Sequence, residues 1–164
     1  MAKTFDRLEG ARNQGRTLEL TTLPAPDVPA TVRAMLEQRL HRWRLTAVRS
    51  GEFLHDIQLC ADELVTNACQ ATPGQKITFR ATLAQHERAV TLSTWDASTD
   101  LPTVRPVAQL AAEDIIPDFN ALNPGFKDNQ IGGWGLPMVV ALSTAQGVVP
   151  TEPRGKWVWA RLEY

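Results

Sequence analysis

The change of hydrophobic period between Ala71 and Ile77 constrains this chain more than any other feature. Before it, Val28, Val32, Met35, Leu36, Leu40 and Trp43 recur at helical spacing and predict an amphipathic helix over 28–44. Asp27 stands at its N-cap position and Pro29 in its first turn. Ile57, Ala61, Leu64, Ala68 and Ala71 predict a second helix over 52–71, which Pro73-Gly74 ends. After it, Ile77, Phe79, Ala81 and Leu83 alternate with polar residues, and Val90 and Leu92 do the same beyond a turn near His86. That pattern predicts an antiparallel pair of strands. A helix with one apolar stripe and a sheet with an apolar face must bury them against each other.

The remaining segments complete the layout. Leu18 and Leu20 mark a strand over 16–22, Val148 and Val149 another, and Trp157 to Leu162 a last one after the turn at Pro153–Gly155. Residues 97–131 hold four prolines, Pro102, Pro106, Pro117 and Pro124, and no long periodic run. Connections of that length in compact domains are usually functional lids or mobile segments. Gly132-Gly133-Trp134-Gly135 then opens a third helix reaching Ser143, with Pro137 in its first turn. The order β-α-α-β-β-loop-α-β-β predicts an α+β, two-layer α/β sandwich. Its sheet is expected to be mixed and mostly antiparallel, with the helices on one face. Residues 1–15 read as a flexible arm and 16–164 as one domain, with 97–131 as its lid.

Composition narrows the function classes. Lys plus Arg is 17 against Asp plus Glu 18, so the basic excess of a nucleic-acid-binding surface is missing. No apolar run approaches the ~20 residues of a membrane span, and the first residues lack a signal-peptide core. A cytoplasmic protein without direct nucleic-acid or membrane binding is expected. Cys60 and Cys69 fall in one predicted helix, about 13 Å apart along its axis, too far for a disulfide with each other. Both are expected to be small buried hydrophobes. Trp43 and Phe79 read as core, and Trp157 or Trp159 as packing in the sheet or under a bound base.

Three constellations carry chemistry. Glu63 and Asn67 are four residues apart and share a helix face, beside Cys60 at the border of the apolar stripe. A carboxylate there can take a proton from an attacking hydroxyl, and a neutral amide oxygen suits Mg²⁺. The same spacing also describes a solvated helix face. Asp96, in Trp95-Asp96-Ala97-Ser98, ends a strand where the long loop begins. It can accept a hydrogen bond from a purine's exocyclic amine, or turn the chain out of the strand. Gly132, Gly133 and Gly135 let backbone N–H groups approach an anion at a helix start, or form a hinge into a buried helix.

In this order, the three constellations resemble the GHKL (Bergerat-fold) ATP-binding family, and within it the RsbW-like anti-sigma-factor serine/threonine kinases. Glu63-Leu64-Val65-Thr66-Asn67-Ala68 resembles that branch's N box. Asp96-Ala97-Ser98 with Leu101-Pro102 is similar to its shortened G1 box, and Gly133-Trp134-Gly135-Leu136 to its G2 box. Gly155-Lys156-Trp157-Val158-Trp159 resembles its last strand. The resemblance implies ATP and Mg²⁺ as cofactors, Glu63 as general base, Asn67 as Mg²⁺ ligand and Asp96 as adenine reader. It also places Ser98 and Leu136 at the nucleotide, with Gly132, Gly133 and Gly135 along the phosphates.

The implied function is an anti-sigma factor that phosphorylates an anti-sigma-factor antagonist and holds a sigma factor. A homodimer through the strand at 16–22 is also implied. This sequence has Trp134 where the branch has Arg, and Ala97 and Thr99 near the places of the G1 glycines. Those differences motivate an alternative: a nucleotide-binding partner-switch module without significant kinase activity.

Overall fold

A computed structural model describes residues 16–46, 51–102 and 135–164. The first strand, β1 (Thr17–Thr22), precedes helices α1 (Val28–Arg42) and α2 (Gly51–Ala71). Strands β2 (Ile77–Ala84) and β3 (Ala89–Asp96) flank a short 3₁₀ turn at Gln85–Glu87, with Arg88 in the left-handed region at φ 50°. Helix α3 (Gly135–Leu142), β4 (Ala145–Pro150) and β5 (Lys156–Glu163) complete the fold. This is the predicted order of elements. Pro29 lies in the first turn of α1 as expected, but Asp27 makes no side-chain cap bond there. Pro137 falls in the first turn of α3, whereas Gly132 to Trp134 lie outside the described residues, as do residues 1–15 and most of the expected lid.

The five strands form one sheet in the order β1-β2-β3-β5-β4, and every neighbouring pair is antiparallel. This corrects the expectation of a mixed sheet. The turn between β4 and β5 reverses the chain, and β5 inserts between β3 and β4, running opposite to both.

One sheet face packs on the helices. Leu18, Phe79, Leu92, Ala160 and Leu162 meet Leu36, Leu40, Ile57 and Leu64 in a single core. Phe79 is 1% exposed, and Trp43 packs against the rim of the same core. The helical spacing of α2 accounts for the burial of Ile57, Cys60, Ala61, Leu64, Val65 and Ala68. Ala71, expected in that stripe, is exposed at the last turn and borders a cleft instead.

The opposite face carries the odd-numbered side chains of β3 and β5, because side chains alternate along a strand. Arg80 pairs there with Glu19 at 2.8 Å and lies 4.5 Å over the Trp157 ring. Trp159 crosses Gly147, where an added Cβ would meet its ring at 3.0 Å. Both tryptophans therefore pack on the sheet, one of the two places that the sequence allowed.

Candidate functional site

Helix α2, the end of β3, the start of β5 and helix α3 enclose a cleft of about 420 Å³. That volume suits a small-molecule ligand. Asn67 and Gln70 come from α2, Thr94 and Asp96 from β3, Ser98 from the segment after it, Leu136 from α3, and Lys156 from β5. The Thr94 hydroxyl donates to the Leu64 carbonyl at 3.3 Å and ties β3 to the helix at the cleft wall.

Asn67 reaches this wall as the helical spacing expected. Its Nδ2 is buried and has no hydrogen-bond partner. A buried polar group left unpaired costs about 1–3 kcal/mol, and such atoms are commonly explained by a ligand.

Asp96 is 2% exposed at the cleft floor. Its Oδ1 accepts from the Ser98 backbone N–H at 2.9 Å and from Lys156 Nζ at 2.7 Å. The Ser98 bond turns the chain out of β3, so Asp96 performs the turn role that the sequence also allowed. The same ammonium donates to the Ser98 carbonyl at 3.3 Å. Ser98 Oγ accepts from the Asp100 N–H at 3.1 Å, which shapes the loop.

Lys156 is the site residue that sequence reasoning missed. The register pairs it directly with Asp96, and its side chain is 5% exposed. Gly155, just before it, has φ +91°, and a Cβ there would lie 2.6 Å from the Asp96 carbonyl oxygen. Only glycine permits this close approach of β5 to the end of β3.

Glu63 does not line the cleft among the described residues. It is half-buried on α2, one turn before Asn67. Burial, reinforced by the neighbouring Asp62 carboxylate, raises its pKa above the usual value. A carboxyl shifted upward holds a proton more strongly than an ordinary carboxylate does. The fold favours its protonated form, so its charge costs stability once pH rises through the ordinary carboxylate range. Glu63→Gln should therefore raise Tm by about 1–2 °C at pH 7.5, a gain held small by partial solvent screening. Melting curves should show that gain vanish below about pH 4. An unchanged or lower Tm at pH 7.5 would contradict the cost assigned to this carboxylate.

Cys60 is buried, and burial, with Asp56 and Glu63 nearby, pushes its thiol up to about 12. Cys69 is only half-buried, which corrects the expectation of two buried cysteines. Neither is in a disulfide.

The helix face with Asn67, the strand end with Asp96 and the helix start with Leu136 thus meet around one cavity. Residues 21–162 match the family model of the histidine kinase-like ATPase domain. The chain belongs to that family.

Solved structures agree with the fold. One similar structure is that of the RsbU and RsbW domains of Rv1364c from Mycobacterium tuberculosis, at TM-score 0.57 and 18% identity. The alignment covers 90% of this chain and 32% of that one, so this ATPase domain spans about a third of that protein. Another is a chain of the SiaB–SiaC complex from Pseudomonas aeruginosa, at TM-score 0.61 and 14% identity, covering 99% of this chain and 100% of that one. No curated protein matches the sequence.

Among the described residues of this histidine kinase-like ATPase domain, no helix is long and apolar enough to cross a membrane. None of its described His, Cys, Asp and Glu side chains gather in a group of three that could hold a metal ion.

Proposed function

We propose that this ATPase-family chain binds ATP in the cleft and transfers its γ-phosphate to a serine or threonine of a small protein partner. The observation that carries this reading is Asn67: its half-buried side chain lines the same cavity as Asp96, and its buried Nδ2 has no hydrogen-bond partner. Asp96 would receive the exocyclic amine of adenine on Oδ2, since Oδ1 already holds Ser98 and Lys156. Asn67 lies toward the phosphates. Leu136 lines the same cleft, with Gly132, Gly133 and Gly135 preceding it in sequence.

A Mg²⁺ ion would be held by the Asn67 amide oxygen together with the phosphates. When bound, it would supply neutralisation of the phosphate charge. Glu63, with its raised pKa, would take the proton of the attacking hydroxyl.

The family and the neighbours named RsbW and SiaB support a partner-switching role, which we place in the cytoplasm. In that role the acceptor is an anti-sigma-factor antagonist, and the chain holds a sigma factor when the antagonist is phosphorylated. Strand β1 lies at one end of the sheet, paired with β2 on one side, and is the surface proposed for a homodimer.

One observation favours a second reading, a nucleotide-binding module without turnover: Glu63 stands outside the cleft wall. A phosphotransfer assay with radiolabelled ATP and a panel of antagonist-type domains separates the two. The kinase reading expects labelled phosphoserine or phosphothreonine, reduced about 100-fold or more by Glu63→Gln. It also expects loss of transfer in Asn67→Ala. Undiminished transfer in both variants would remove their assigned roles, and ATP binding without transfer to any partner would favour the second reading.

A further inference from the structure

A cleft reading adenine through an aspartate alone would need only Asp96 at its floor, yet here a buried lysine shares that floor. Lys156 points inward from β5, on the face of the sheet that otherwise carries Val158, Ala160 and Leu162. Inward lysines are rare because a buried ammonium must be paired. Its Nζ donates to Asp96 Oδ1 at 2.7 Å and to the Ser98 carbonyl at 3.3 Å. An ammonium has three N–H donors, so one remains. On the partner side, Oδ1 of Asp96 already accepts twice, and Oδ2 remains. Both side chains line the cleft.

A ligand entering the cleft meets these two groups as a unit. Drawing Lys156 away would strand Asp96, 2% exposed, as an unpaired buried charge. The floor is electrically balanced and offers one donor beside one acceptor. It therefore selects by hydrogen-bond pattern, and its complement is an acceptor adjacent to a donor on a flat ring edge. The N1 and exocyclic amine of a 6-aminopurine form such an edge. A phosphate at the same place would face the carboxylates of Asp96 and Asp100, which lie on the same wall.

Resting on the nucleotide reading above, we infer that Lys156 is a specificity-determining residue that donates to N1 of the adenine ring while Asp96 receives the amine. The probe is 1-deaza-ATP, in which a C–H replaces N1 and the amine is kept. Calorimetric titrations of the intact protein with ATP, 1-deaza-ATP and GTP are compared.

The wild type should bind 1-deaza-ATP about tenfold or more weakly than ATP, because a charged donor is left unpaired. Lys156→Met should bind the two nucleotides alike. Should that variant fail to fold, Lys156→Gln keeps a neutral donor at the floor and should discriminate between the two nucleotides less than the wild type does. Equal affinity of the wild type for ATP and 1-deaza-ATP would overturn the inference while leaving the nucleotide site standing. Tighter binding of GTP would also overturn it, by assigning Lys156 to a carbonyl oxygen. Failure of all three nucleotides to bind would remove the nucleotide reading itself, and this inference with it.

Discussion

Lys156→Met should destabilise the protein by about 3–5 kcal/mol, the cost of leaving one member of a buried ion pair without its partner. For a chain of this size that corresponds to a Tm about 6–20 °C lower. The cause is geometric. Asp96 is 2% exposed, and removal of Lys156 leaves it only the Ser98 N–H among its observed partners. Water that could solvate the carboxylate must enter through the cleft. The double variant Asp96→Asn/Lys156→Met removes both charges and should recover more than half of the loss, because a buried pair often does no better than neutral groups of similar volume. Urea and thermal unfolding of the wild type, both single variants and the double variant supply the cycle. A Lys156→Met cost below about 1 kcal/mol would mean that the pair is solvated and does not form the cleft floor.

Much of this arrangement was legible in the sequence, and the exceptions have definite causes. The stripes of α1 and α2 and the alternation of β2 and β3 gave their elements because local periodicity reports which side faces the core. Glu63 and Asn67 were correctly placed on one helix, but only Asn67 reaches the cleft. Four residues advance about 6 Å along the axis and turn about 40° beyond a full circle, enough to carry one side chain past the wall. Asp96 was read as either a base reader or a turn former. Its Oδ1 makes the turn, while the carboxylate still lines the cavity, so the two readings coexist.

Lys156 escaped notice because its partner lies 60 residues away, across a pairing of β3 with β5 that no local pattern specifies. A signal was nevertheless present. Alternation over 156–162 puts Lys156 on the same face as Val158, Ala160 and Leu162, and a lysine in an inward phase needs a buried anion. The tryptophans at 157 and 159 drew attention to the other face, where they pack over Arg80 and Gly147. The antiparallel insertion of β5 between β3 and β4 was similarly hidden, since strand order depends on long-range pairing.

The largest effect on ligand binding is expected from Asp96→Asn. With Oδ1 engaged by Ser98 and Lys156, the substitution turns the remaining acceptor into an N–H₂ donor facing the exocyclic amine of adenine. Two donors would then oppose each other in a confined site. The loss should be at least about tenfold, and about 100-fold if the carboxylate bond is worth the upper range for charged acceptors. Melting of the variant at each concentration separates a binding defect from unfolding. Calorimetric titration of ATP into wild type and Asp96→Asn, in the presence of Mg²⁺, therefore tests the central claim most directly. The account predicts saturable one-site binding by the wild type and a loss of that magnitude in a folded Asp96→Asn protein. No saturable binding by the wild type at millimolar ATP, or equal affinity in the two proteins, would contradict it.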